Sequence, residues 1–136
     1  VIATLVALIL GALALLHVYW GILGVSGRFV ALPEVDGKPT FQPSRLSCFA
    51  VASALTIAAL LVVWRSGLVP SPLPGWAATV GTAGAGAVFV LRAIGDFRLV
   101  GFFKRVRDTP FAVWDTRLFT PLSLALGLSS LWIAFS

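Results

Sequence analysis

The chain reads as an all-α membrane protein, an antiparallel bundle of four transmembrane helices, on three observations. Four apolar stretches, Val1–Leu23, Leu46–Trp64, Trp76–Ile94 and Leu118–Phe135, each rise roughly 27–34 Å as helix, matching a hydrocarbon core of ~30 Å. Mean hydropathy is +1.01, and charged residues are 11% of the chain against about a quarter in soluble domains. The third observation is the one-sidedness of the charge. Arg28, Lys38, Arg45, Arg92, Arg98, Lys104, Arg105, Arg107 and Arg117 fall in or beside the first and third loops, and only Arg65 falls in the second. Four crossings put the first and third loops on one side. All five acids and the one histidine lie on or toward it as well.

A single four-helix domain uses all 136 residues. The first helix, about 1–23, carries Ala3, Ala7 and Gly11 in one stripe, and ends in His17-Val18-Tyr19-Trp20, a sequence suited to an interface. It begins without Met or a basic segment, which predicts that a few residues precede Val1 in the full protein. The first loop, 25–45, contains Gly27, Pro33, Asp36-Gly37, Pro39 and Pro43 and is expected to fold as turns on the membrane surface.

The second helix, about 46–64, repeats the small stripe at Ala50, Ala54 and Ala58. A stiff connector with Pro70, Pro72 and Pro74 follows. The third helix, about 76–94, carries Ala77–Gly81–Ala85 and Ala78–Thr82–Gly86 and is expected to extend toward Lys104. Lipid offers no hydrophobic drive between helices, so small residues that admit close backbones mark the packed faces. The fourth helix, about 118–135, is richer in Leu and is expected to face more lipid. Thr109-Pro110 and Thr120-Pro121 each read as N-cap and N1. A start at Pro110 implies a kink near Pro121.

Counting excludes several chemistries. Net charge +5 would point to nucleic acid in a soluble protein, but basic loops are the ordinary mark of the cytoplasmic face, so no nucleic-acid partner is expected. Cys48 stands alone, without a C-x-x-C, which removes thiol–disulfide exchange. One His and no Met cannot supply both axial ligands of a haem, so a b-type cytochrome would need a partner chain. The scattered acids offer no metal site. Neither G-x-x-x-x-G-K-[ST] nor G-x-G-x-x-G occurs. The cofactor, if there is one, is left unknown.

The polar residues near the helix ends are the candidates for chemistry. Arg92 and Asp96 are four apart, which on a continued helix brings them together as a pair, with Arg98 near the same carboxylate. That pair reads either as an interfacial anchor or as part of a site. His17 lies about one and a half turns inside its helix end, near the depth of Arg92. Ionisable groups in membrane spans usually face the bundle interior, and packing and proton transfer remain alternatives for it. The run Phe102–Thr109 reads either as a basic anchor or as a cradle for phosphate or carboxylate.

His17-Val-Tyr19-Trp20 with Pro33…Gly37-Lys-Pro39, Leu91–Arg98, Gly101–Phe111 and Trp114-Asp-Thr-Arg117 together resemble a family of small four-helix bacterial membrane proteins, domain of unknown function 3995. The resemblance covers nearly the whole chain. It implies the topology and no activity.

The functional expectation is a pocket on the charged, cytoplasmic side. Tyr19, Trp20, Arg92, Arg98, Trp114, Asp115 and Arg117 would bind an amphipathic or anionic small molecule such as a lipid, isoprenoid or quinone. His17 and Asp96 are the candidate catalytic pair for proton transfer. Membrane lipids are expected partners. The rival readings are a non-catalytic accessory subunit docked on a membrane partner protein, and a transporter, which would require a homo-oligomer. A closed, polar-floored cavity favours the pocket, and a flat arginine-studded face favours docking.

Overall fold

In a computed structural model, residues 1–24 and 31–136 are described. Gly27 and Arg28 of the first loop lie outside the described residues. Four helical segments long and apolar enough to cross a membrane run through the chain: Ile2–Leu23, Arg45–Arg65, Gly75–Ile94 and Pro110–Phe135. The first three are α1, α2 and α3. The fourth is α4 (Pro110–Trp114), a π-helical turn (Asp115–Phe119) and α5 (Thr120–Phe135).

The bundle consists of two helical hairpins, α1 against α2 and α3 against α5, joined chiefly where α2 meets α3. The central core takes Val6, Leu10 and Ala14 from α1, Leu55, Ala58 and Val62 from α2, and Leu126 and Ile133 from α5, with Phe89 of α3 packed beside them. Within the first loop, β1 (Glu34–Val35) pairs antiparallel with β2 (Lys38–Pro39). Asp36 (φ 53) and Gly37 (φ 73) hold the left-handed conformations that a two-residue hairpin turn requires. Ser44 caps α2 by accepting the Ser47 N–H at 3.0 Å.

Two expectations are corrected. The fourth span does not face more lipid than the others: 39% of its apolar window is buried, against 17–22% in the other three. Its Leu content conceals a small-residue stripe of its own, the buried Ser123, Gly127, Ser130 and Ala134. A Cβ at Gly127 would come within 2.9 Å of the Gly86 carbonyl oxygen, and one at Gly86 within 2.9 Å of the Gly127 oxygen. Backbone therefore meets backbone where α3 and α5 cross.

The third helix does not extend toward Lys104. It ends at Ile94, where Gly95 takes φ 88 and its N–H donates to the Leu91 carbonyl at 2.8 Å. A glycine in this conformation is a helix stop. At the other end of the third loop, Thr109 caps α4 by accepting the Ala112 N–H at 3.1 Å, with Pro110 at the first helical position. The earlier of the two expected starts is the one used. Proline at 121 cannot donate a hydrogen bond one turn back, and the helix widens into a π turn immediately before it.

Candidate functional site

The site is built on the loop from Gly95 to Thr109, which folds back over the end of α3. Asp96 starts the fold. Its Oδ1 accepts the N–H groups of Arg98 (2.9 Å), Leu99 (2.7 Å) and Val100 (3.0 Å), and Phe97 is held at φ 62. The loop then returns to the helix, with the Phe102 N–H donating to the Ala93 carbonyl at 2.9 Å. Gly101 sits at φ 89, so close to the helix end that a Cβ would overlap the Ile94 carbonyl oxygen. Arg105 and Val106 donate their N–H groups to the Arg98 carbonyl and close a second turn.

This fold delivers two donors to Asp115, whose carboxylate is fully buried in the first residue of the π turn. Its Oδ1 accepts from Arg92 Nη2 at 2.6 Å. Its Oδ2 accepts from the Gly101 N–H at 2.9 Å, Lys104 Nζ at 3.1 Å and Thr120 Oγ1 at 3.0 Å. The Lys104 side chain is fully enclosed, and its ammonium also donates to the Gly101 carbonyl (3.0 Å) and Thr116 Oγ1 (2.6 Å). Four donors on one carboxylate repay much of the cost of burying it. The local count is two cations to one anion.

Arg92 is also in the wall of a pocket of about 310 Å³ between all four spans. Leu13, Leu16, Leu55, Phe89, Leu122 and Leu126 make that pocket apolar, while His17, Trp20, Arg92 and Ser123 bring polar groups to it. His17 packs edge-on against Trp20, their rings 5.1 Å apart. Its Nδ1 lies 2.8 Å from the Leu13 carbonyl; a carbonyl only accepts, so that nitrogen carries the proton. A second hollow, about 260 Å³, shares His17 and Trp20 in its lining and reaches Leu32, Phe41 and Cys48. Two residues of the 310 Å³ pocket's lining each carry a buried donor with no hydrogen-bond partner among the described residues, Trp20 Nε1 and Arg92 Nη1.

The expected site residues divide accordingly. His17, Trp20 and Arg92 share the pocket, and Asp115 binds Arg92 from behind it. Arg92 does not pair with Asp96: the helix ends at Ile94, two residues before the aspartate, so the four-residue spacing no longer places the two on one face. Asp96 is exposed at its turn and does not line the pocket, so the expected proton-transfer pair of His17 and Asp96 has no common cavity. Slight burial disfavours the Asp96 carboxylate, but the N–H groups of Arg98, Leu99 and Val100 outweigh it and hold the group below the usual carboxylate range. Tyr19, Arg98, Trp114 and Arg117 are exposed and line no part of the pocket.

Lys104 is the residue that sequence reasoning placed in the wrong role. It sits in a basic run yet is more buried than any other charged residue except Asp115 among those described. At the opposite end of the bundle, Arg65 donates to the carbonyls of Ala134 (3.0 Å) and Ser136 (2.9 Å), placing a cation at the C-terminal end of α5.

Among the described residues, no group of three His, Cys, Asp or Glu side chains could hold a metal ion. No curated protein and no solved structure matches the chain. A family described as "Protein of unknown function (DUF3995)" matches residues 10–130, nearly the whole length and all four spans, and the chain belongs to that family.

Proposed function

We propose that the protein binds an amphipathic small molecule, a lipid, isoprenoid or quinone, in the pocket between its four helices. The polar head would lie at Trp20 and Arg92 and the apolar part along Leu13, Phe89 and Leu126. One observation carries the reading: two buried donors without partners among the described residues, Trp20 Nε1 and Arg92 Nη1, belong to residues lining one cavity. Such a donor costs ~1–3 kcal/mol, more when charged. Folded proteins rarely leave one buried without a reason. A volume of about 310 Å³ is at the small end of ligand sites, enough for a head and the start of a chain.

The membrane is proposed to be the bacterial cytoplasmic one, with loops 25–45 and 95–117 in the cytoplasm and both ends of the bundle's chain outside. The basic residues support this, with nine on that side against Arg65 alone. Single cysteines replacing Asp36, Ser71 and Thr109 in a Cys48→Ser background test it. An impermeant thiol reagent on intact cells should label position 71 only, and labelling at 36 and 109 instead would invert the orientation.

The pocket itself is tested by filling it. Ser123 is in its lining, and among the described residues its hydroxyl bonds only to the Phe119 carbonyl of its own span, so Ser123→Leu should fold and occupy the space. The parent, purified in detergent, should be thermally stabilised by at least one of a set of lipid and quinone extracts. Ser123→Leu should lose that response. A variant that responds to each extract as the parent does would move the binding elsewhere.

A further inference from the structure

We infer that the head recognised at Trp20 and Arg92 is an oxyanion, the phosphate or carboxylate of a molecule carrying an alkyl or isoprenyl chain. This names the ligand class of the pocket proposed above and rests on that reading. Arg92, Lys104 and Asp115 are joined by ion pairs of 2.6 and 3.1 Å. Two cations share one carboxylate, so the cluster keeps one uncompensated positive charge. Lys104 and Asp115 are sealed, with side chains fully enclosed. Of the three, Arg92 alone lines the pocket.

The carboxylate uses only the Nη2 end of that guanidinium. Nη1 is buried and unpartnered among the described residues, as is Trp20 Nε1. Both nitrogens can only donate, so both call for acceptors. A quinone or ester carbonyl would satisfy a donor but leave the charge uncompensated. An oxyanion offers several acceptor oxygens and cancels the charge, and charge-assisted bonds are about twice as strong as neutral ones. No carboxylate lines this pocket among the described residues, so nothing in its wall opposes an anion. The wall of leucines and Phe89 favours a head attached to a chain over a free ion.

The test uses the full chain in dodecyl maltoside, a detergent without phosphate or carboxylate. Affinities are measured for dodecyl phosphate, dodecanoate, dodecanol, a short-chain ubiquinone and inorganic phosphate. Dodecyl phosphate and dodecanoate should each bind about ten-fold or more tighter than dodecanol. Trp20→Phe removes one N–H that has no partner among the described residues, so it should fold and weaken dodecyl phosphate roughly ten-fold. Arg92→Lys should weaken it further, and dodecanol, a neutral head, should lose less than dodecyl phosphate to either change.

Equal affinity for dodecanol and dodecyl phosphate, or no change in Trp20→Phe, overturns the oxyanion head and leaves the pocket reading standing. Inorganic phosphate binding as tightly as dodecyl phosphate overturns the attached chain. If none of the probes binds, ubiquinone and dodecanol included, the pocket reading falls and this inference with it.

Discussion

Asp115→Asn should be the most destabilising single-atom change in the molecule. The substitution keeps the shape of the side chain and removes its charge. Lys104, with no exposed side-chain surface, would then be a buried ammonium facing only the Gly101 carbonyl, the Thr116 hydroxyl and an amide. Breaking one partner of a buried pair costs about 3–5 kcal/mol. The two remaining acceptors put this case toward the lower end. Arg92 adds little, because its side chain is 32% exposed and its head can move toward water. For a chain of this size a loss of about 3 kcal/mol lowers the melting midpoint by on the order of 10 °C.

The assay is thermal unfolding of purified protein in a neutral detergent, followed by helical circular dichroism. The companion variant is Lys104→Met with Asp115→Asn, which removes both buried charges and should melt above Asp115→Asn alone. The reasoning fails if Asp115→Asn melts with the parent. It fails equally if the two changes simply add, since an ion pair must show coupling.

Asp96 should behave differently, because it is exposed and its bonds run to backbone N–H groups. Its folded pKa is lowered, so its contribution is complete above the unfolded value of about 3.9 and is lost as pH falls below that toward the folded value. Amide exchange at Arg98, Leu99 and Val100 should therefore show protection that declines only below about pH 4, and Asp96→Ala should abolish the dependence. Protection that instead falls between pH 7 and 5 would assign the effect to another group. Gly127→Ala places a methyl against the backbone of α3 and should cost about 1–3 kcal/mol by overpacking. Gly84→Ala, where a Cβ meets nothing within 4 Å, should melt with the parent, and equal effects from the two would refute the proposed crossing.

The four spans were legible because length and hydropathy are local properties, and so were the Asp36-Gly37 turn and the Thr109-Pro110 cap. Arg92 and Asp115 were both singled out as polar residues on the charged side. Their pairing was not legible, since it depends on a loop of fifteen-odd residues returning to the helix it left. Gly95 was the misread letter. Counted as one more helical residue, it allows Arg92 to meet Asp96; counted as a left-handed stop, it frees Asp96 to fold the loop and leaves Arg92 for Asp115. The burial of Lys104 follows from the same return path. Nothing within its own neighbours distinguishes it from Arg105 except the shape of its head group.

The π turn at Asp115–Phe119 holds one residue more than an α-helix would fit into the same height. That surplus sets the angular phase between the two halves of the fourth span. Each helical residue advances about 100° and 1.5 Å, so releasing the extra residue would turn α4 relative to α5 by roughly a quarter of a circle. Asp115 would swing off Lys104 while Gly127 kept its seat on Gly86, and Phe111 and Phe119, both in the pocket wall, would be displaced relative to each other. Deleting a single residue between 116 and 119 would take out the surplus and let a plain α-helix hold both halves in phase, whereas re-winding the turn with every residue kept would act as a misaligned gear. The lower half of the molecule would still mesh, and the upper half would present the wrong tooth.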